Sequence, residues 1–291
     1  MFFRKKWALV LSGGGAKGFA HIGVLKFFDD AGIRPDMIVG TSVGAIIGGF
    51  YACGMTGKEI ENFIVNDFEF KPYFDIKSLQ LPNFSITKAI VVGESLKNFL
   101  SKHGVDSGNK LHMKIAEMTK KRNFGEEQIP FVCNSVDLVN HRHVIHREGN
   151  ISDAIRASMS VPGFFHPFIM KDMFLVDGGI FDNMPVSIPR SLGIKKVVAV
   201  NLNDHMPENI DKFKTGMDVI IDALFISSRI SADLDNNKPD VEILAGDGRT
   251  NIDMSNPETS IEYGYKKAQE MKDQIMKLTT PAYKRFFNSS T

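Results

Sequence analysis

Residues 7–54 read WALVLSGGGAKGFAHIGVLKFFDDAGIRPDMIVGTSVGAIIGGFYACG, and this stretch decides the fold class. It contains two continuous apolar runs, Trp7–Leu11 and Met37–Gly40, which are typical of strands buried on both faces of a parallel sheet. Apolar residues recur every third position over 18–31, and small apolar residues fill 43–53, so both segments are predicted helices. Strand, helix, strand and helix in this order predict a parallel sheet covered by helices.

The rest of the chain continues this alternation. Further strands are predicted at 131–136, 144–146, 174–176, 196–202 and 241–244. Further helices are predicted at about 94–102, 108–121, 151–158, 216–232 and 258–278. We therefore predict an α/β fold, a three-layer α/β/α sandwich with a mostly parallel central sheet. Because no linker or repeat divides the chain, residues 1–291 are predicted to form a single domain.

The overall composition excludes some classes of partner. The chain has 291 residues, of which 43% are hydrophobic and 24% charged, and its 35 basic and 34 acidic side chains give a net charge of +1. Without a basic excess, nucleic acid is not an expected partner. No apolar run approaches the roughly 18 residues of a membrane span, so a protein that is soluble or peripheral to a membrane is expected. Cys53 and Cys133 are predicted to be reduced core thiols of a cytoplasmic protein.

Two segments suggest contact with lipid, each with a plainer alternative. Phe2-Phe3 beside Arg4-Lys5-Lys6 could dock on an anionic membrane surface, or could be an irregular tail. The aromatic-rich segment 63–92 could form a lid over an apolar site. The interpretation we favour there is an irregular segment whose phenylalanines pack on the core. The 23 phenylalanines of the chain fit an acyl-chain channel and a Phe-rich core equally well.

The sequence Gly40-Thr-Ser42-Val-Gly44 matches G-x-S-x-G, the nucleophile elbow. In this motif, a serine on a sharp strand-to-helix turn is forced outward, and the flanking glycines avoid clashes in the bend. The following helix directs amide groups and its positive dipole end toward a developing oxyanion. The motif often arises by chance, but here it lies between a predicted buried strand and a helix of small residues. Ser42 is therefore a candidate nucleophile.

A second glycine cluster, Gly13-Gly-Gly-Ala-Lys-Gly18, lies between the first strand and the first helix. Its backbone amides could point together at an anion, either a phosphate or a tetrahedral oxyanion. The cluster also fits G-x-G-x-x-G, so a dinucleotide site is an alternative. That alternative requires an acidic residue at the end of the second strand. Asp36 instead precedes this strand.

The third feature is Phe174-Leu-Val-Asp177-Gly-Gly179, in which an aspartate ends an apolar strand. The carboxyl ends of strands are where α/β sheets place functional groups. Taken alone, an aspartate before two glycines is more often a turn residue. Together with the other two features, however, Asp177 becomes a candidate catalytic carboxylate.

In combination, these three features resemble the patatin-like phospholipase family. The family pattern is Asp-Gly-Gly-Gly-x-Arg-Gly, then Gly-x-Ser-x-Gly, then Asp-Gly-Gly or Asp-Gly-Ala. Two positions depart from it, since Ser12 stands for the usual aspartate and Lys17 for the usual arginine. Lysine keeps the positive charge but loses the two-pronged guanidinium, so the role of Lys17 is less certain.

The resemblance extends beyond the three motifs. Ala157-Ser-Met-Ser-Val-Pro162 with Phe165-His-Pro167, and then Asp182-Asn-Met-Pro185, are similar to family segments that flank the catalytic aspartate. The match runs in order over about 7–203. The C-terminal part, about 204–291, has no motif that maps to the family and is predicted to complete the domain.

The resemblance implies a serine acyl hydrolase with a Ser–Asp dyad and no catalytic histidine. Ser42 would be the nucleophile, carried by the elbow glycines Gly40 and Gly44, and Asp177 would be the base. The oxyanion hole would be formed by Gly13, Gly14 and Gly15, with Lys17 beside them. The implied substrates are fatty-acyl esters of phospholipids or lysophospholipids. No metal and no organic cofactor is implied.

The histidines offer alternatives to this interpretation. His205, after a predicted strand, would complete a Ser-Asp-His triad, although a surface-loop histidine is the simpler interpretation. His141 and His143 would share one face of a strand and His146 the other, which favours a solvated strand edge over a metal site. His21 could line the site, but a hydrogen-bonded residue of the helix face is more common.

Other functions on the same residues stay open. A thioesterase or an acyltransferase would use the same dyad, and a catalytically silent lipid-binding protein could keep the fold. The intact motifs argue against a silent protein, because packing alone does not require that combination. The sequence leaves open the head group, the chain length, the ester position and the oligomeric state, so a homo-oligomer is not excluded.

Overall fold

The structure is a computed structural model that describes residues 6–67, 104–203, 238–249 and 253–279, with the isolated positions 219, 223 and 226. Over these residues it consists of a central sheet with helices packed on its faces, as the α/β/α prediction required. The predicted helix at about 94–102, all but three positions of the predicted helix at 216–232, most of the segment 63–92, the N-terminal Phe2-Phe3 and Arg4-Lys5, and His205 lie outside the described residues.

In the described ranges, the central sheet has eight strands and a small second sheet has two. The strands are β1 (Trp7–Leu11), β2 (Met37–Gly40), β3 (Gly104–Asp106), β4 (Phe131–Asp137), β5 (Arg142–His146), β6 (Gly163–Phe165), β7 (Phe168–Met170), β8 (Met173–Asp177), β9 (Lys196–Asn201) and β10 (Val241–Leu244). The pairing order through the central sheet is β10-β9-β1-β2-β4-β8-β7. Strand β5 pairs with β4 along the edge opposite to the one shared by β2 and β8. Strands β3 and β6 form the second sheet.

The helices are α1 (Phe19–Asp30), α2 (Val43–Ala52), α3 (Gly57–Asn62), α4 (Asn109–Met118), α5 (Ile151–Ser158), α6 (Ser187–Ser191), α7 (Pro257–Glu270) and α8 (Lys272–Thr279). Short 3₁₀ turns at Gly15–Gly18 and Gly178–Ile180 and a π turn at Phe63–Asp67 complete the described elements. The predicted helix at 258–278 is thus two helices that meet at Met271.

Side chains of the sheet alternate between two apolar layers. On one face, Leu9, Leu11 and Ile38 pack with residues of α1, α2, α5 and α7 in the larger core. On the other face, Val10 and Val39 form a smaller core with Val186 and Ile188 around α6. Burial of both faces explains why these strands are continuous apolar runs, since neither face meets water.

The sheet is parallel in one half and antiparallel in the other. Strands β10, β9, β1, β2 and β4 are all parallel neighbours. Strands β5 and β8 both run antiparallel to β4, and β7 runs antiparallel to β8. The α/β/α layering is confirmed with a mixed sheet, in which five of the eight described strands are parallel to one another. The short strands β3, β6 and β7 were not predicted.

Strand β4 is paired along one edge by two strands that approach each other end to end. Gly40, the last residue of β2, lies beside Cys133, and Asp177, the last residue of β8, lies beside Ser135. Because β5 pairs with both Cys133 and Ser135 from the opposite edge, β2 and β8 share the remaining edge. The carboxyl ends of β2 and β8 therefore meet from opposite directions at the middle of β4.

Two simpler predictions concern the cysteines and membrane spans. Cys53 and Cys133 are both buried and unpaired, as predicted for core thiols. Within the described ranges, no helix combines the length and the apolar character that crossing a bilayer requires.

Candidate active site

Ser42 sits on a strained turn between β2 and α2. Its backbone angles are φ 55° and ψ −122°, a combination that non-glycine residues rarely adopt. The side chain is 6% exposed and lies at the N-terminal end of α2. This is the geometry of a nucleophile elbow, in which the turn presents the serine hydroxyl and the helix dipole favours negative charge nearby.

The glycines on either side of Ser42 are required by close backbone contacts. A Cβ atom on Gly40 would lie 2.6 Å from Cα and N of Ala45, and one on Gly44 would lie 2.7 Å from the carbonyl carbon of Leu11. Neighbouring backbone cannot move aside as a flexible side chain can. Only glycine therefore lets β1, β2 and α2 approach closely enough to form the turn.

Two side chains from distant parts of the chain hold the turn in place. The Ser42 amide donates to Oγ of Ser158 at 3.0 Å, and Oγ1 of Thr41 donates to Oδ1 of Asn134 at 2.8 Å. Nδ2 of Asn134 in turn donates to the carbonyl of Asp182 at 2.9 Å. These bonds fix the strained backbone from the α5 and β4 sides.

Asp177 ends β8 with its carboxyl group fully buried. Oδ1 accepts a hydrogen bond from the Gly179 amide at 2.7 Å, and the Asp177 amide donates to the Ser160 carbonyl at 2.9 Å. Burial raises the pKa of Asp177 from 3.8 to about 7, against the lowering effects of the Ser42 side chain and the Gly179 amide. A carboxylate with such a pKa is a much stronger base than an ordinary aspartate.

The second carboxyl oxygen of Asp177, Oδ2, is buried and has no hydrogen-bond partner of normal length and angle among the described residues. The Ser42 hydroxyl is nevertheless near enough to lower the pKa of the carboxyl group. Buried oxygens without partners are rare and costly in folded proteins. The site thus pairs a serine on a strained backbone turn with a carboxyl group that has one oxygen without a hydrogen-bond partner in the described part of the chain.

Gly178 lets the turn after Asp177 pack against β4. A Cβ atom there would lie 2.6 Å from Cγ and Oδ1 of Asn134. Asn134 therefore contacts both the turn of Ser42 and the turn after Asp177, since it also forms hydrogen bonds with the Thr41 hydroxyl and the Asp182 carbonyl. We did not predict a role for it. The available signal was a polar amide inside the apolar run Phe131–Asp137.

The glycine loop has one amide in use and two that are not. The Gly13 amide donates to the Asn183 carbonyl at 3.2 Å, while Nδ2 of Asn183 donates to the Gly13 carbonyl at 3.2 Å. Among the described residues, the amides of Gly14 and Gly15 donate to no protein acceptor. The amides of Gly14 and Gly15 could therefore donate hydrogen bonds to an anion. The Gly13 amide instead donates to Asn183 and fixes the loop.

The two positions that depart from the family pattern are both buried. Oγ of Ser12 accepts a hydrogen bond from the Leu202 amide at 3.0 Å, which ties the loop to the end of β9. Lys17 lies in the 3₁₀ turn that follows the loop, and its amide donates to the Gly14 carbonyl at 3.2 Å. Ser12 thus has a structural partner, and Lys17 is a buried cation next to the loop.

A buried arginine supports the segment that holds Asp177. Arg156 donates to Oγ of Ser160 at 2.6 Å, to the Ser107 carbonyl at 2.7 Å and to the His166 carbonyl at 2.9 Å. Because the Ser160 carbonyl accepts from the Asp177 amide, this cluster fixes the amino side of the aspartate. The Ala157–Pro162 segment was predicted only by resemblance. Its physical function is this support.

The strand histidines are separated by the fold. His141 lies in the turn before β5 with φ 49°, so the expectation that it shares a strand face with His143 is wrong. The connection between β4 and β5 is too short for the strand to extend to this residue. Over the described part of the chain, no three histidine, cysteine, aspartate or glutamate side chains are grouped to hold a metal ion.

The other two strand histidines have protein partners. His143 contacts Nδ2 of Asn134 at 3.1 Å and stacks on Phe181 with ring centres 4.7 Å apart. Nε2 of His146 lies 2.7 Å from Oγ of Ser135. Burial lowers the pKa of both histidines, to about 4 for His146, so both are neutral near pH 7.

The geometry also bears on the dinucleotide alternative. Oδ2 of Asp36 accepts a hydrogen bond from the Trp7 amide at 2.9 Å. This contact lies at the amino end of β1, at the opposite end of the strand from the glycine loop. Asp36 is therefore not positioned to bind a ribose near that loop, as a dinucleotide site requires.

Comparison with known proteins agrees with the motifs. Lysophospholipase NTE1 of Mycosarcoma maydis is 31% identical over 196 residues, 67% of this chain and 9% of that protein. Lysophospholipase nte1 of Neurospora crassa is 32% identical over 215 residues, 70% of this chain and 12% of that protein. The patatin-like phospholipase domain-containing protein ZK370.4 of Caenorhabditis elegans is 30% identical over 205 residues, which are 69% of this chain and 14% of that protein. The chain thus spans only about a tenth of the length of these curated relatives.

Solved structures share the fold at low sequence identity. VipD from Legionella pneumophila superposes with a TM-score of 0.55 at 16% identity, covering 93% of this chain and 67% of that chain. The type III effector ExoU gives a TM-score of 0.51 at 15% identity, covering 95% and 54%. The sequence model of the patatin-like phospholipases matches residues 9–190, more than half of the chain. On this match, together with the motifs in their expected order, the chain belongs to the patatin-like phospholipase family.

Proposed function

We propose that this protein is a serine acyl hydrolase that cleaves fatty-acyl esters of phospholipids or lysophospholipids through a Ser42–Asp177 dyad. The observation that carries the proposal is the meeting of β2 and β8 end to end on β4, which brings a strained serine next to a buried aspartate with a raised pKa. The relatives named lysophospholipases support the substrate class.

In the first half of the reaction, Oγ of Ser42 attacks the carbonyl carbon of the ester and its proton passes to Asp177. The carbonyl electrons move to oxygen, and the amides of Gly14 and Gly15 donate to this oxyanion. When the tetrahedral intermediate collapses, the ester C–O bond breaks and the departing alcohol takes the proton from Asp177. An acyl group remains bound to Ser42.

In the second half, Asp177 removes a proton from water, which attacks the acyl carbonyl. The fatty acid leaves, and the proton on Asp177 returns to Ser42. The raised pKa of Asp177 supports this double role, because general acid–base catalysis is most effective when the pKa of the group lies near the working pH. The hydrogen bond between Ser42 and Asp177 is expected to reach its best geometry when substrate binds.

The test is hydrolysis of a p-nitrophenyl acyl ester series and of a lysophospholipid by wild type, Ser42→Ala and Asp177→Asn. Each variant should lose at least about 10³-fold in kcat while remaining folded by circular dichroism. Asp137→Asn is the matched control, because Asp137 is another fully buried aspartate, two residues along β4 from the partner of Asp177. It should keep its kcat.

The pH profile supplies an independent check. Asp177 must be ionised to act as the base, so kcat/KM should rise about tenfold per pH unit and level off above a midpoint near 7. A midpoint near 4 would contradict the proposed base. Loss of activity in His205→Ala would instead favour the Ser-Asp-His triad.

The same assay separates the other functions of the fold. Transfer of the acyl group to an added alcohol in preference to water would identify an acyltransferase, and preference for acyl thioesters a thioesterase. Wild type that binds lysophospholipid vesicles without turnover would identify a silent lipid-binding protein and overturn the proposal.

A further inference from the structure

His21 is a fully buried histidine that contacts the glycine loop. It lies in the first turn of α1, and its Nε2 is 2.8 Å from the carbonyl oxygen of Ser12. A carbonyl oxygen can only accept, so Nε2 carries the proton. Burial lowers the pKa of His21 to about 4, and the ring is therefore neutral near pH 7 with a bare Nδ1.

Within the part of the chain that the structure describes, Nδ1 of this ring is buried without a hydrogen-bond partner. An unsatisfied buried acceptor destabilises a fold, and a leucine of similar volume at this position would avoid that cost. Buried polar groups that are kept in spite of such a cost often serve a functional site. The hydrogen bond that the His21 side chain makes to Ser12 indicates which site it serves.

Ser12 lies two residues before the Gly14-Gly15 pair, whose amides have no protein acceptor among the described residues, and Gly13 between them is held by Asn183. Its amide donates to the Val200 carbonyl at 3.1 Å, and its Oγ accepts from the Leu202 amide at 3.0 Å. Both of these bonds go to the β9 side. The bond from His21 is the one that holds the Ser12 carbonyl from the α1 side, and so sets the direction in which the chain enters Gly13–Gly15.

We propose that His21 is a positioning residue for the oxyanion hole, orienting the Gly14 and Gly15 amides through its hydrogen bond to the Ser12 carbonyl. This inference rests on the proposed hydrolase function and adds a residue that the Ser–Asp dyad does not include. His21 itself does not touch the reacting atoms. Its effect is on the stabilisation of the tetrahedral intermediate and not on the proton transfer to Asp177.

The experiment compares His21→Leu with His21→Gln. Leucine removes the donor and the orphaned Nδ1 together, whereas glutamine carries an Nε2 donor at about the same distance from the backbone. We expect kcat of His21→Leu to fall about 10- to 100-fold, with KM within threefold and only a small change in Tm, because the variant removes the orphaned Nδ1 but also the bond to the Ser12 carbonyl. His21→Gln should recover most of kcat. The pH midpoint of kcat/KM should be the same in all three proteins.

Two further measurements keep stability and catalysis apart. Phe28→Leu, a truncation in the core-facing side of the same helix, should lower Tm and leave kcat unchanged. Hydrogen exchange of the peptide covering 12–18 does not depend on turnover. The amides of Ser12 and Gly13, which are bonded to Val200 and Asn183, should exchange faster in His21→Leu and return to the wild-type rate in His21→Gln.

Several outcomes would overturn the proposal. Wild-type kcat in His21→Leu, or unchanged exchange over 12–18, would show that the contact does not orient the loop. Equal losses of kcat in the leucine and glutamine variants, in proportion to a fall in Tm, would assign His21 to packing alone. Failure of the hydrolase function has a separate sign, namely wild type no more active than Ser42→Ala, and the exchange data would then still decide the positioning role.

Discussion

The parallel and antiparallel halves of the central sheet bury their strands differently. In the parallel half, β1 and β9 are covered on both faces, and nearly every residue of them is buried. In the antiparallel half, β5 and β7 are partly exposed, and Ile169 of β7 is 68% exposed. The proposed nucleophile comes from the first half and the proposed base from the second. The candidate site therefore lies where the parallel and antiparallel parts of the sheet meet, and neither part alone contains both residues.

The largest expected effect is at the elbow in the parallel half. In Gly44→Ala, the added methyl group would overlap the Leu11 backbone, so α2 must shift away from β1. We expect a loss of about 3 kcal/mol in the free energy of unfolding and of nearly all turnover. Denaturant unfolding and ester hydrolysis measure these two quantities.

Gly48→Ala is the matched control for this change. It lies in the same helix, and its Cβ would meet only side chains, the nearest at 3.0 Å. We expect it to keep most of its activity. If Gly44→Ala behaved like Gly48→Ala, the close contact between the two segments would not be what requires glycine in the elbow.

A second prediction concerns the buried carboxyl group in the antiparallel half. The pKa of Asp177 in the folded protein, about 7, lies above its ordinary value of 3.8. The stability associated with the neutral carboxyl is therefore complete below pH 4 and is lost as the pH rises through 7. Asp177→Asn should then be more stable than wild type by about 2–4 kcal/mol at pH 8.

The check is thermal unfolding of wild type and Asp177→Asn between pH 4 and pH 8. The two curves should converge at the acid end and separate as the pH rises. A constant difference across this range would mean that burial of the ionised carboxylate is not what costs stability. A more stable but inactive variant would be a direct case of stability given up for function.

The third prediction is at the junction itself. Asn134→Ala would leave the Thr41 hydroxyl and the Asp182 carbonyl without their partner. We expect a loss of about 2–3 kcal/mol and a lower kcat, because both ends of the site lose support. Ser135→Ala, the next residue of β4, removes one hydrogen bond to His146 and tests whether the effect is specific to Asn134.

The smallest expected effect is at the edge of the antiparallel half. Ile169→Ser should change the free energy of unfolding by no more than about 0.5 kcal/mol, because the side chain already meets water. Leu9→Ala in fully buried β1 should cost about 2–5 kcal/mol. Urea titrations of the two variants compare the halves directly. Equal losses would contradict the difference in burial between them.

The sequence predicted the parallel half well because burial on both faces leaves a continuous apolar run. The predicted strands over 7–11, 37–40 and 241–244 agree with the structure residue for residue. The antiparallel half was harder. Strand β7 has three residues and an exposed side chain at its centre, so it contains neither a long apolar run nor a clear alternation.

The chemistry of the site could be named from the sequence, but its assembly could not. The motifs identified the candidates Ser42 and Asp177 and the glycine loop, because tight turns and close backbone contacts require glycine at fixed spacings. The signals at Asn134, Ser158 and His21 were weaker, namely a polar amide in a strand, a segment that resembles the family and a histidine that could line the site. Their contacts are with residues distant in the sequence, which the local pattern does not show. The Gly13 amide is a similar case. The loop pattern predicts that it donates to an anion, whereas in the structure it donates to the Asn183 carbonyl.

By itself, the sequence determined the layered α/β architecture and the types of residue that carry the chemistry, because hydrophobic periodicity and glycine spacing are local properties. The position of Asp177 beside Ser42 follows from the pairing of β2 and β8 with β4, which the sequence does not show. We expected the aspartate at the carboxyl edge of a parallel sheet, but β8 runs antiparallel to β4 and ends where β2 ends. The direction of a strand in a sheet depends on the partner strand against which it packs, and the sequence of β8 alone does not specify that partner.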